Sequence, residues 1–333
     1  MSQSALGARR RRDASERTRN GRPSTQFPLV NPDLFFANGN GPQVARVSLA
    51  QSTRIALMLT PHKGAKFRQQ AEETLEKATA ALRKHASPIT VTSQTVFLRD
   101  PTDQQECEEM LRSFYGKHLP VTTFVHQPPC CGAALALEAW AVGGPTLKIE
   151  RFGSHAVALN YNGVRWIYCG GIKPGRGISG VYAQTTDALK RLRRVLEKAG
   201  TSFEHVARTW FYLGGITDLQ SKVQRYQELN RARTDFYRGM NFNEKTLMPG
   251  SKRPVYPAST GIGMSGRGLA LSCTAFETNR KDAFLLPLEN PLQTPAYHYH
   301  PRYSPQSPKF SRAVALVPRL LEMTGNSGVK MVK

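Results

Sequence analysis

Apolar positions along this chain switch between a period of two and a period near 3.6. The clearest stretch opens with Val164-Arg-Trp-Ile-Tyr-Cys169, a strand-like run that ends in Gly170-Gly171. From Ala183 onward, Ala188, Leu192, Val195, Leu196 and Ala199 recur at helical spacing, and Gly200 supplies the stop. The aromatic and branched run 206–213 predicts a second strand, 223–237 a second helix, and 259–264 and 269–276 two closing strands. The order is β-α-β-α-β-β, which suits a single α+β layer pair.

The same order occurs earlier. Residues 54–59 predict a strand and 67–85 a helix carried by Ala71, Leu75, Ala78 and Leu82. A strand at 89–98, a helix at 103–115 and strands at 121–126 and 134–141 follow. Thr95-Val-Phe-Leu98 stands where Trp210-Phe-Tyr-Leu213 stands, and Leu119-Pro120 where Tyr256-Pro257 stands. The chain therefore contains an internal repeat, predicting an α+β protein of two tandem modules, 30–150 and 155–280, each a sheet with two helices on one face. Ahead of the first repeat, Leu34–Gly41 followed by 44–49 predicts a hairpin around Asn38-Gly39. After Glu277 the chain is rich in proline (Pro287, Pro291, Pro295, Pro301, Pro305, Pro308), so 281–333 is expected to run extended, with one strand-like run at 311–317.

Hydrophobic residues make up 40% and charged residues 21%, values that let a chain of 333 residues bury two cores. The net charge of +22 changes the picture more. Arg9, Arg10, Arg11, Arg12, Arg17, Arg19 and Arg22 outnumber Asp13 and Glu16, so residues 1–25 are expected to be a disordered basic arm. Such a surface favours anionic partners: small acidic metabolites, and nucleic acid bound non-specifically through the Arg9–Arg12 arm. No aromatic-interleaved RNA motif or recognition helix is present. Cys107, Cys130, Cys131, Cys169 and Cys273 lack paired spacing and read as reduced thiols. No secretion signal and no long apolar run is found, so a cytoplasmic protein without a membrane partner is expected.

The stretch with Ala183-Gln-Thr185, Ala188-Leu189, Val195-Leu196, Ala199-Gly200, Val206-Ala-Arg-Thr-Trp-Phe-Tyr-Leu213 and Pro257-Ala258 resembles a module of the RidA/YjgF superfamily, once described as L-PSP endoribonucleases. Tyr256-Pro-Ala-Ser-Thr-Gly-Ile-Gly263 and Tyr303-Ser-Pro-Gln-Ser-Pro-Lys-Phe-Ser-Arg-Ala313 are similar to its chorismatase and pteridine-dependent-deoxygenase-like branch. The resemblance implies trimer-like assembly with ligand pockets between modules. In that branch the Phe310-Ser-Arg-Ala313 segment leads into a further module, so 281–333 is expected to be the shortened start of a third. Two modules without the third would leave an apolar face that drives oligomerisation.

RidA deaminases, the resemblance implies, grip a carboxylate with an arginine on the penultimate strand and handle water with a glutamate on the last. A guanidinium suits this because it binds a carboxylate in bidentate fashion. In the second module those positions fall on Ser259 and near Thr274; in the first they fall on Thr122 and Glu138. Neither module holds the pair, which argues against imine deamination and leaves Glu138 as the single candidate catalytic residue. A chorismatase-like site needs cations and hydroxyls for a dicarboxylate and an acid for an enol ether. Ser259, Thr260, Arg302, Tyr303 and Lys309 are the candidates for the binding half, while the resemblance places the family's acid in the missing module.

Gly175-Arg-Gly-Ile-Ser-Gly180 fits a dinucleotide fingerprint, but the periodic helix starts later and no acidic residue follows at the needed distance. His298 and His300 lack further metal-binding neighbours in sequence. No cofactor and no metal is expected. The reading is a protein that binds a small carboxylate-bearing metabolite at module interfaces without imine deaminase activity. One alternative is a chorismatase-like hydrolase or lyase acting on chorismate or a related enol ether. The other is an RNA-associated translation inhibitor or endoribonuclease.

Overall fold

The structure, a computed structural model, describes residues 33–36, 43–49, 52–62, 64, 66–83, 88–252, 254–303 and 306–318. The Arg9–Arg12 arm, the Asn38-Gly39 turn, the end of the predicted helix at 84–85 and residues 319–333 lie outside the described residues. The first module holds β1 (Asp33–Phe36), β2 (Gln43–Leu49), β3 (Ser52–Leu59), α1 (Phe67–Arg83), β4 (Ile89–Leu98), α2 (Gln104–Tyr115), β5 (Val121–Val125) and β6 (Leu135–Gly143). The second holds β7 (Lys148–Phe152), β8 (Ala156–Tyr161), β9 (Val164–Ile172), α3 (Val181–Lys198), β10 (Val206–Gly214), β11 (Leu219–Gln220), β12 (Val223–Gln224), α4 (Arg225–Phe236), β13 (Ala258–Met264) and β14 (Leu269–Thr278). A two-stranded hairpin of β15 (Ala283–Leu288) and β16 (Ala313–Pro318) follows.

Both modules build a six-stranded sheet of the same order: β1-β2-β3-β6-β4-β5 and β7-β8-β9-β14-β10-β13. In each, the first helix links the third strand to the fourth to be made, the second helix precedes the edge strand, and that edge strand pairs parallel to its neighbour. The repeat is thus exact in topology. Strands β7 and β8 are not revealed by periodicity, nor are the short pair β11–β12 and strand β15, which lies in the stretch expected to run extended yet pairs with β16 and buries Leu285. Ala156 and Ala158 face the helix side while Val157, Leu159 and Tyr161 face the other, so β8 is apolar on both faces and shows no alternation.

Helix periodicity is reproduced closely. Ala71, Leu75 and Ala78 of α1 are buried with Leu137 and Ala139 of β6. Val181, Ala188, Leu192 and Leu196 of α3 are buried against Ile167, Leu271 and Ala275. Gly200 (φ +74°) ends α3 in a Schellman arrangement, with Thr201 N–H donating to Leu196 O at 3.0 Å and Gly200 N–H to Glu197 O at 2.9 Å. Two boundaries differ from expectation. Helix α3 begins directly after Gly180, and the Gly175 N–H donates to the Asp187 carboxylate at 2.8 Å, so this glycine loop is tied to its own helix. Val223 and Gln224 pair with β11 instead of opening α4. All five cysteines are free thiols, and among the described residues no helix is long and apolar enough to cross a membrane.

Each sheet also packs its second face, against the other sheet. Val121 and Val142 of the first module join Val157, Leu159, Trp166, Ala207 and Phe276 of the second, with Leu285, Val314 and Leu316 of the closing hairpin beside them. The two sheets approach tightly where β5 crosses Gly170-Gly171. A Cβ on Gly170 would stand 2.7 Å from Thr123 Oγ1 and 2.8 Å from Val121 Cγ1; one on Gly171 would stand 2.7 Å from the Thr122 carbonyl oxygen. Gly171 (φ +64°) also donates its N–H to Thr123 Oγ1 at 2.9 Å.

Gly171→Ala should therefore lower stability by ~2–4 kcal/mol, combining a left-handed backbone with overpacking against main chain. Gly177→Ala is the control, since φ there is +78° but nothing lies within 4 Å of its Cβ. It should cost only ~1–2 kcal/mol. Urea midpoints of the two variants check this, and equal losses would mean that sheet contact is not what Gly171 serves.

Candidate active site

The two sheets do not close on each other everywhere. Beyond the glycine crossing they part around a cavity of about 440 Å³, walled by β4, β5 and β6 from one module, β9, β10 and β14 from the other, and the β15–β16 hairpin. Alternation along the strands decides what enters it. On β6, Leu137, Ala139 and Ala141 go to the helix core, which turns Glu138 and Trp140 to the cavity. On β10, Phe211 and Leu213 go to the helix core, which turns Arg208, Trp210 and Tyr212 inward. All three tryptophans of the chain (Trp140, Trp166 and Trp210) line this one space.

Its polar groups come from both modules. Burial pushes the Glu138 carboxyl above the ordinary carboxylate range, against the opposite pull of the Trp140 N–H and the Arg208 charge. Arg208 rests 4.7 Å from the Trp210 ring centroid and donates to Thr260 Oγ1 at 2.9 Å. Arg54, from β3, rests 4.4 Å from the Trp166 centroid and donates to Tyr168 Oη at 3.0 Å. Burial raises the Tyr212 hydroxyl too, beside the Thr95 and Ser272 hydroxyls and the Glu138 charge. A carboxyl raised above its ordinary pKa, two guanidinium groups and indole faces thus share one partly closed space. Such a set can hold an anionic, unsaturated small molecule and give it a proton.

Strand register shows how the copies correspond. Thr95 pairs with Glu138 in the first sheet, and Trp210 pairs with Ser272 in the second. Ser93 pairs with Trp140, and Arg208 with Thr274. The second-module counterpart of Glu138 is therefore Ser272, two residues from Thr274, near which the sequence motif placed it. The counterpart of Arg208 is Ser93. An arginine and a glutamate that neither module holds alone are brought together across the modules.

The five residues expected to bind ligand are not gathered in one place. Ser259 faces the helix side, accepting from Thr209 Oγ1 and from the Arg233 guanidinium, each at 3.0 Å. Thr260, the next residue on the strand, points the other way and reaches the cavity only through Arg208. Arg302 and Tyr303 are exposed and bonded to each other, with the Tyr303 carbonyl taking a hydrogen bond from Gln227 of α4. Lys309 lies near Tyr256, on the helix side of the second sheet. Thr122 turns to Gln94, and it is Thr123 that faces the cavity. Arg208, Tyr212 and Arg54 escaped the sequence reading. The signal was present in 206–213: a strand with a charge alternating against Phe211 and Leu213 needs a polar place for that charge.

Residues 138–275 match the model of the chorismatase FkbO/Hyg5-like N-terminal domain. Over that stretch the chain is similar to the chorismatase N-terminal domain. It is 29% identical over 192 residues to a 3-hydroxybenzoate synthase from Streptomyces hygroscopicus, covering 56% of this chain and 49% of that one. It is also 29% identical over 191 residues to a chorismatase from Streptomyces rapamycinicus, covering 54% and 48%. A chorismatase crystal structure aligns with a TM-score of 0.46 at 17% identity, covering 80% of this chain and 66% of the other. The chain spans about half the length of the curated relatives it matches. The matched domain contributes Glu138, Arg208, Tyr212 and all three tryptophans, whereas Arg54 lies before it.

Because the tryptophans and Glu138 share the cavity, indole emission should follow the Glu138 proton. A titration should show a step with its midpoint above the ordinary carboxylate range of about 4.3, and Glu138→Gln should abolish it. A step that survives in the variant would assign it to another group.

Proposed function

We propose that the inter-sheet cavity binds a small, ring-bearing carboxylate of the chorismate kind and that the protein is a chorismatase-like hydrolase or lyase acting on its enol ether. The observation that carries this reading is Glu138, whose carboxyl burial pushes above the ordinary range, set in one cavity with Arg208 from the other module. The names of the curated relatives, 3-hydroxybenzoate synthase and chorismatase, support the same class.

The chemistry follows from the residues. Arg208 and Arg54 receive carboxylates, and the indole faces of Trp140, Trp166 and Trp210 receive the unsaturated ring. The Glu138 O–H transfers its proton to the terminal carbon of the enol ether, forming a C–H bond and leaving an oxocarbenium ion beside the carboxylate that Arg208 holds. In hydrolysis, water adds its oxygen to that carbon and returns a proton to Glu138. The resulting hemiketal breaks the bond between its carbon and the ether oxygen while its hydroxyl proton passes to that oxygen, releasing a 2-oxo acid and a ring alcohol.

The test is to incubate the purified full chain with chorismate and measure pyruvate through coupled NADH oxidation. Pyruvate release is expected, with Glu138→Gln lowering it by about 10²–10⁴-fold, the range of a lost general acid. Arg208→Ala should raise KM. The rate should fall as pH rises through the elevated Glu138 pKa, because the acid form does the work. Stabilisation by chorismate without pyruvate would leave a binding protein. Ammonia from an imino acid would instead make the arginine–glutamate pair a deaminase site.

A further inference from the structure

A second cavity, of about 550 Å³, opens on the helix side of the second sheet, between the end of α4, the 239–242 turn, residues 254–256 and Lys309 of the extension. Its wall is aromatic. Tyr256 stacks on Tyr237 with centroids 6.5 Å apart and planes 16° apart, and Phe242 lies 6.4 Å from Tyr256. Thr234 Oγ1, on the same wall, is buried without a hydrogen-bond partner.

Lys309 is the cation of this space. Its Nζ stands 5.8 Å from the Tyr256 centroid and donates to Ser307 Oγ at 3.0 Å. An ammonium carries three donors, so two remain. Among the described residues no carboxylate forms an ion pair with it, and burial alone lowers its pKa. Among the described wall residues the other cation is Arg238, which is paired with Asp235 at 2.8 Å. A lysine that merely covered an aromatic ring would extend its head into water. This one is half-buried over the Tyr256 ring, in a cavity whose wall also holds Tyr237, Phe242 and Thr234, which is where an anion with a flat apolar body gains most.

We propose that this second cavity binds a small planar carboxylate, its charge on Lys309 and its ring against Tyr256. The site is separate from the inter-sheet cavity and does not rest on the function proposed for that cavity.

The experiment uses 4-fluorobenzoate and the full chain, followed by fluorine NMR, with tryptophan emission recorded on the same samples. Saturable binding is expected, weakened about tenfold or more in Lys309→Met, as for a lost charge-assisted hydrogen bond, and restored in Lys309→Arg. Arg208→Ala should leave it unchanged, and tryptophan emission should not move, because every tryptophan lines the other cavity. Should Lys309→Met fold poorly, Thr234→Val, which removes the unused hydroxyl, is expected to weaken binding as well. No saturable binding, binding indifferent to both variants, or binding lost in Arg208→Ala with a shift in tryptophan emission would each overturn the proposal.

Discussion

β5 crosses directly over Gly170-Gly171, and the shape of the interface between the two sheets depends on that crossing. Two sheets that face each other normally stand about 10 Å apart with side chains filling the gap. Here two glycines let main chain and short side chains of the first module settle directly on β9, with Thr123 bonded to the Gly171 amide. Elsewhere three indole rings and two arginines occupy the same interface. Closed at the glycines and propped by bulky groups, the interface has to open into a cavity. The cavity is thus a consequence of unequal side-chain size along one pair of sheets.

Duplication explains the architecture, and divergence explains the chemistry. The sheets share strand order, edge pairing and even the irregularity before Ser93 and Arg208. At equivalent positions one module offers Ser93, Thr95, Glu138 and Trp140, and the other Arg208, Trp210, Ser272 and Thr274. Acid and base functions that would repel or cancel if repeated on both sides are divided between the copies. A symmetric frame therefore encloses an asymmetric site. Asymmetry of this kind is what orienting a substrate with distinct ends requires.

Much of the frame was legible because helix faces and half-buried strands impose their periods on the sequence: Ala188, Leu192 and Leu196 announce α3, and Gly200 its end. The repeat was legible for the same reason. Strand β8 was not, since Val157 and Leu159 are buried on one face and Ala156 and Ala158 on the other, so no polar residue marks a period. The site was legible only at Glu138. Searching each module for its own arginine–glutamate pair assumes that a pocket belongs to one module, and the fold places this pocket between two. Ser259 and Thr260 show the complementary limit: neighbours in a strand motif point to opposite faces of the sheet, so adjacency in sequence separates them in space.

Glu138 and Arg208 could have neutralised each other, and the reason they do not bears directly on function. Among the described ion pairs none joins them; Arg208 is drawn to Thr260 and laid on Trp210, and Glu138 is held beside Trp140. A buried ion pair would have kept Glu138 ionised and used up the guanidinium. Kept apart, the carboxyl answers mainly to its desolvation, which raises its pKa, while the guanidinium keeps donors for an incoming anion. Once a ligand carboxylate reaches Arg208, it further screens that positive charge from Glu138 and adds a negative one. Both changes strengthen the hold of the carboxyl on its proton, so binding itself readies the acid until charge builds on the substrate carbon.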